Sequence, residues 1–144
     1  MVAVIVLVVV VAAAVAVALM VGRNTKTEAP TQPAQYVVPA QLDREDFSRP
    51  QAPWIVVVFT SRTCASCANT VEKAFALRSG DVFVQEIEFS EHRTLHDRYE
   101  VEAVPMVLVA DAKGIVRASF IGSPSAADLW ATVAQLRDNG SAAS

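Results

Sequence analysis

Residues 54–67 read WIVVVFTSRTCASC. Trp54–Phe59 is an unbroken apolar run rich in β-branched side chains. Such a run predicts a strand covered on both faces, as in a parallel or mixed sheet flanked by helices. Thr60–Thr63 is polar and predicts a turn. A helix is expected from about Cys64 to Arg78, with Ala68, Val71, Ala74 and Phe75 on one face. Ser79-Gly80 reads as its stop, glycine being favoured just past a helix end. Both cysteines of the chain therefore stand where a buried strand turns into a helix.

Downstream, Val82–Phe89 (VFVQEIEF) predicts the next strand. Ser90 is placed to N-cap a short helix carrying Leu95 and Tyr99, an i,i+4 pair. Met106–Ala110 and Ile115–Ile121 read as two strands joined by Asp111-Ala-Lys-Gly114, a hairpin signal with glycine for positive φ. Ser125-Ala-Ala-Asp128 resembles a capping box, and Leu129, Val133 and Leu136 line one face of the helix it starts. Residues 139–144 are a small polar tail, expected to be disordered. Upstream, Tyr36-Val37-Val38 predicts a short first strand, and Gln41–Phe47 (QLDREDF) a helical turn before the SRPQAP loop. The resulting order is β, β, α, β, α, β, β, α. That is an α/β sandwich of roughly 100 residues, large enough for one core.

The rest of the 144-residue chain has a different character. Residues 2–21, VAVIVLVVVVAAAVAVALMV, are twenty apolar residues in a row, and all 12 Lys/Arg and 15 Asp/Glu lie beyond position 22. This segment lifts the mean hydropathy to +0.35, too apolar for an ordinary soluble domain. As a helix it spans about 30 Å, the thickness of a bilayer's hydrocarbon core. A signal peptide should carry a basic start and a shorter apolar stretch. Residues 1–22 are therefore expected to be an uncleaved transmembrane anchor. Residues 23–35 (RNTKTEAPTQPAQ) read as a solvated, flexible linker. The folded domain is expected over 36–138. A net charge of −3 gives no footprint for nucleic acid.

Three readings of Cys64-Ala-Ser-Cys67 compete. Two structural thiols could fall at this spacing by chance. A Cys₂His₂ zinc site could add His92 and His96, spaced i,i+4. Against zinc, the gap from Cys67 to His92 is twice that of a zinc finger, and the histidines sit among Glu91, Arg93, Asp97 and Arg98, a solvated face. The third reading is a redox dithiol, which the spacing and placement favour. At a helix start, unsatisfied N–H groups and the helix dipole stabilise a Cys64 thiolate. Arg62 adds positive charge, and Thr63 directly precedes the sulfur. Cys67 lies on the same helix face, in reach of a disulfide. Cys64 is then the exposed nucleophile, and Cys67 resolves the mixed disulfide.

On these residues the sequence resembles the thioredoxin-like family over about residues 36–138. The strand WIVVVFTSRT leads into Cys64-Ala-Ser-Cys67. Val104-Pro105, 41 residues after Cys64, matches the family's cis-proline opposite the disulfide. A strand–Gly114–strand hairpin follows, then Gly122 before the last helix. The resemblance implies a thioredoxin-like three-layer sandwich, a central mixed sheet with helices on both faces, after the N-terminal transmembrane helix. It also implies that Val104 and Pro105 line a substrate-binding groove. The departures are specific. Thioredoxin has Trp where this chain has Thr63, and Gly-Pro where it has Ala-Ser. Its buried acid, six residues before the first cysteine, is Val58 here. Glu86 stands at the place of thioredoxin's buried lysine. Pointing under the site it would be a proton shuttle; the competing orientation is toward solvent or a Lys/Arg.

The expected function is a membrane-tethered thiol–disulfide oxidoreductase. Its partners would be protein thiols or disulfides and a redox partner that restores the dithiol. No cofactor is expected beyond the Cys64–Cys67 disulfide, since no dinucleotide or flavin motif is present. The alternative is a non-catalytic binding or assembly module of the same fold. Membrane side is left open by two opposed signals. Arg23 and Lys26 follow the apolar segment, which places the domain in the cytoplasm by the charge rule. Family members on a single N-terminal anchor often act outside it.

Overall fold

The computed structural model describes residues 36–142, together with Met1. The expected anchor and linker, residues 2–35, and the last two residues of the tail lie outside the described residues. Among those described, no helix is long and apolar enough to cross a membrane.

Four strands form the sheet: β1 (Trp54–Thr60), β2 (Val82–Glu88), β3 (Met106–Ala110) and β4 (Val116–Ile121), in the order β2-β1-β3-β4. β1 and β2 are parallel, while β3 runs antiparallel to both β1 and β4. Three helices accompany them: α1 (Cys67–Phe75), α2 (Arg93–Arg98) and α3 (Ala126–Ala142). β1 is central, and every residue from Ile55 to Thr60 is buried. Its continuous apolar run reflects that position, because helices or loops cover both of its faces.

Alternation along β1 and β3 divides the core in two. Ile55, Val57, Phe59, Met106 and Leu108 pack with Leu42, Phe47 and Tyr99 on one face. Val56, Val58, Val107 and Val109 pack with Ala74 of α1 and with Leu129 and Val133 of α3 on the other. The expected three-layer arrangement of a mixed sheet between helices is therefore present. Its hairpin turn depends on Gly114. That residue has φ +80°, and a Cβ there would lie 2.0 Å from the Leu42 carbonyl oxygen.

Several local expectations are corrected. Tyr36–Val38 forms no strand. The chain pairs with the hairpin only after it, through an isolated Gln41–Ile115 bridge and a bond from Val116 N–H to the Ala40 carbonyl. The helical turn before the loop is a 3₁₀ turn over Arg44–Asp46. α1 is shorter than expected at both ends. Cys64 N–H donates to Ser61 and Cys67 N–H to Cys64, so Cys64 lies in turns ahead of the helix. At the far end, Leu77 and Arg78 N–H reach back only three residues, which tightens the chain out of α geometry without a left-handed Gly80. Val71, Ala74 and Phe75 pack on the core as expected, Cys67 and Thr70 are buried with them, and Ala68 is exposed.

Ser90 does not cap α2. Its N–H and hydroxyl both donate to the Glu88 carboxylate, and His92 takes the cap position. The expected Leu95 and Tyr99 both pack on the core, and His96 joins them. His96 is 3% exposed, donates from Nε2 to the Ile87 carbonyl at 2.8 Å, and sits edge-on to Phe59 and Phe89. It is a core group, not part of a solvated face. α3 starts on the expected Ser125 cap, whose Oγ accepts from Asp128 N–H at 3.0 Å. The helix continues through Ala142, into the segment expected as a tail.

Candidate active site

β1 delivers the chain to one end of the sheet, where Thr60 is its last residue. Four residues on, Cys64 pairs with Cys67 in a disulfide, with Cα atoms 5.5 Å apart. The two sulfurs are held differently. Cys67 is the first residue of α1 and 4% exposed, whereas Cys64 is half-buried in the preceding loop. Ser66 occupies the N-cap of α1 in αR geometry, and its hydroxyl makes no capping bond. The hydroxyl lies 3.9 Å from Cys64 Sγ instead. The helix N-terminus and this hydroxyl are the groups that would favour a thiolate there.

Val104–Pro105 is at the same end of the sheet, because Phe59 pairs with Met106 in the antiparallel register. The Val104–Pro105 peptide bond is cis, Pro105 is buried and Val104 is half-buried. Pro105 is tied to the disulfide's helix by a chain of contacts. Its carbonyl accepts from Gly122 N–H at 2.8 Å. Gly122 has φ +87° with open space around it, so backbone conformation rather than crowding selects glycine. The neighbouring Ser123 Oγ lies 2.9 Å from Thr70 Oγ1, which also donates to the Ser66 carbonyl at 3.0 Å.

Glu86 pairs with Val58 in the parallel register, so both project to the α1 side of the sheet. Its Oε1 accepts from the Thr60 hydroxyl at 2.7 Å. Glu86 is half-buried, and this bond holds its carboxylate against the last residue of β1. Thr60 itself is 1% exposed. Reading Thr60 as part of a polar turn missed it, although its spacing with Val56 and Val58 placed it on their face.

Arg62 sits differently from its expected role. Its guanidinium lies 2.8 Å from Glu91 and 3.7 Å from Glu88, so its charge is matched by two carboxylates. Thr63 is exposed, with Oγ1 3.1 Å from Ser61 Oγ. Glu88, unremarked in the sequence, accepts backbone N–H groups from Arg62, Ser90 and Glu91. Burial pushes its carboxyl up, but these N–H bonds outweigh that and hold it below the usual range. The zinc arrangement is not assembled. The cysteines are bonded to each other, and His96 faces Ile87. Among the described residues, no group of three or more His, Cys, Asp or Glu is placed to hold a metal ion.

No protein-family model matches the sequence, and no curated protein matches it. Solved structures do match. The germline-specific thioredoxin Deadhead of Drosophila melanogaster is 20% identical, with a TM-score of 0.55 covering 69% of this chain and 98% of that one. The thioredoxin of Fasciola hepatica is 22% identical, with a TM-score of 0.54 covering 63% and 88%. Mitochondrial thioredoxin 3 of Saccharomyces cerevisiae, in its oxidised form, is 19% identical, with a TM-score of 0.51 covering 60% and 81%. Identities this low speak to architecture rather than activity. With its mixed sheet between helices and its two cysteines at the β1–α1 junction, the chain has the thioredoxin-like fold.

Proposed function

We propose that this chain is a thiol–disulfide oxidoreductase acting on protein disulfides, tethered to a membrane through residues 2–21. The observation that carries the reading is the unequal exposure of a bonded cysteine pair at a helix start. Cys64 is accessible, and Cys67 is buried behind it. Twenty uncharged apolar residues support the tether.

In the reducing direction, the Cys64 thiolate attacks one sulfur of the substrate disulfide. That S–S bond breaks, a mixed disulfide forms, and the first substrate thiolate leaves and takes up a proton. Cys67 then loses its proton to a base, a role we assign to the Glu86 carboxylate, which is bonded to Thr60 at the end of β1. The Cys67 thiolate attacks Cys64 Sγ, the Cys64–Cys67 disulfide forms, and the second substrate thiolate departs. Two electrons have passed from the dithiol to the substrate, and a thiol-bearing partner must restore them. The same steps run backward when a substrate dithiol is oxidised. Val104 and Pro105, at the same end of the sheet as the cysteine loop, supply the wall against which substrate backbone lies, with exposed Ile121 paired beside Met106.

The test is insulin reduction by the full chain in detergent with dithiothreitol as electron source, together with refolding of a scrambled disulfide protein. Catalysis in at least one assay is expected, abolished by Cys64→Ser, with Cys67→Ser accumulating mixed disulfide. Folded protein that accelerates neither reaction would make the domain a binding module instead.

A further inference from the structure

We infer that Glu88 is a positioning residue that clips the Cys64 loop to the β2–α2 turn and so sets how readily the disulfide closes. This rests on the thiol chemistry proposed above. Thr60 and Glu88 form the last pair of the parallel register. The final ladder-type bond there is Phe89 N–H to the Thr60 carbonyl, 2.9 Å. Beyond it the two strands part, one toward the cysteines and the other toward α2. The Glu88 side chain, 13% exposed, takes over where the ladder stops. Its Oε1 accepts from Arg62 N–H at 3.1 Å and Ser90 Oγ at 3.3 Å. Its Oε2 accepts from Ser90 N–H at 2.9 Å and Glu91 N–H at 3.2 Å.

The chemistry calls for a carboxylate. An ionised carboxylate is acceptor-only and offers about four lone-pair sites, and four donors fill them here. Glutamine has one acceptor oxygen, and its amide N–H groups would face other donors. The clip acts on one sulfur more than the other. Cys67 is fixed by α1, which packs on the core through Ala74. Cys64 is outside the helix, held by its N–H bond to Ser61 at 3.0 Å and by the grip on Arg62, two residues earlier. Release of Arg62 N–H would let Cys64 wander from Cys67, lowering the effective concentration of one thiol at the other.

The experiment measures the dithiol–disulfide equilibrium of the full chain in detergent against glutathione buffers, and the denaturant stability of both redox forms. Glu88→Gln and Glu88→Ala should each shift the equilibrium toward the dithiol by about three- to tenfold. Both should destabilise the oxidised form more than the reduced form. Glu91→Gln, which removes only the outer ion pair to Arg62, should leave the equilibrium unchanged. A merely structural Glu88 would weaken both redox forms equally and leave the equilibrium where it was, and that result overturns the inference. Should the alanine variant fail to fold, the glutamine variant, of nearly equal volume, carries the measurement. Insulin turnover is scored separately. An inactive wild type with a shifted Glu88→Gln equilibrium would remove the proposed catalysis and leave the clip standing.

Discussion

The two faces of the sheet bury polar groups in different ways. On the face with Phe47, Phe59, Tyr99 and Met106, the buried Arg44 and His96 end on main-chain carbonyls, and the Tyr99 hydroxyl ends on Asp46, a carboxylate already ion-paired with Arg98. Arg44 donates to the carbonyls of Pro50, Ala52 and Asp111, and His96 to that of Ile87. On the valine-rich face Thr60 ends on the Glu86 carboxylate, and Thr70 donates to the Ser66 carbonyl beside the Ser123 hydroxyl. A donor satisfied by a carbonyl is a fastener, since the carbonyl has no proton to give and none to keep. A carboxylate that accepts from a hydroxyl retains lone pairs and can still take up a proton. The same strand, β1, thus serves stability with its odd residues and places the reacting end with its even ones.

That contrast predicts separable damage. Phe59 is fully buried and touches His96 and Tyr99 with its ring. Phe59→Ala should cost about 3–5 kcal/mol, read as a lower urea midpoint at constant slope. The glutathione equilibrium of the cysteines should not move. A shift in that equilibrium as large as the one expected at Glu88 would mean the faces are coupled, and the division would fail.

Glu86→Gln probes the opposite face. The amide keeps an oxygen to accept from Thr60, so stability should change by no more than about 1 kcal/mol. The release of mixed disulfide by Cys67 should slow by about tenfold to a hundredfold and lose its dependence on a carboxylate in the pH–rate profile. Rapid-quench trapping of the mixed disulfide measures this directly. An unchanged release rate would return Glu86 to a structural role.

How much of this was legible in the sequence follows from what each signal encodes. The run Trp54–Phe59 announced a two-sided strand because burial on both faces leaves no room for polar alternation. Cys64-Ala-Ser-Cys67 and Val104-Pro105 were legible because spacing along the chain is itself the signal. Helix limits were not. Whether Cys64 is inside α1 depends on turn bonds to Ser61, which no side-chain pattern records. His96 looked solvated because its neighbours Asp97 and Arg98 are charged. Its burial is decided by where the short α2 meets Phe59, a contact between residues 37 apart. Glu88 was invisible for a related reason: a strand-end glutamate gains its role only when another strand's loop brings N–H groups to it.

The smallest expected effect lies at the end of α2, on the fastening face. Glu100 has φ 50°, the left-handed region where a side chain is strained. Two bonds fix it there: Glu100 N–H donates to the Asp97 carbonyl at 3.2 Å, and Val101 N–H to that of His96 at 2.9 Å. This is the Schellman closure of a helix, in which glycine is the usual residue at the left-handed position. Val101 packs on the aromatic core, so the geometry is held by burial beyond the helix itself. Glu100→Gly removes the Cβ strain but gives the unfolded chain more freedom, and the two effects oppose each other. With the left-handed penalty the larger, a net gain of about 0.5–1 kcal/mol is expected. Urea unfolding should show a raised midpoint with an unaltered slope, while the glutathione equilibrium stays put. A loss of stability would instead mean that the glutamate side chain contributes something of its own on that exposed turn, and that this face is fastened from outside as well as from within.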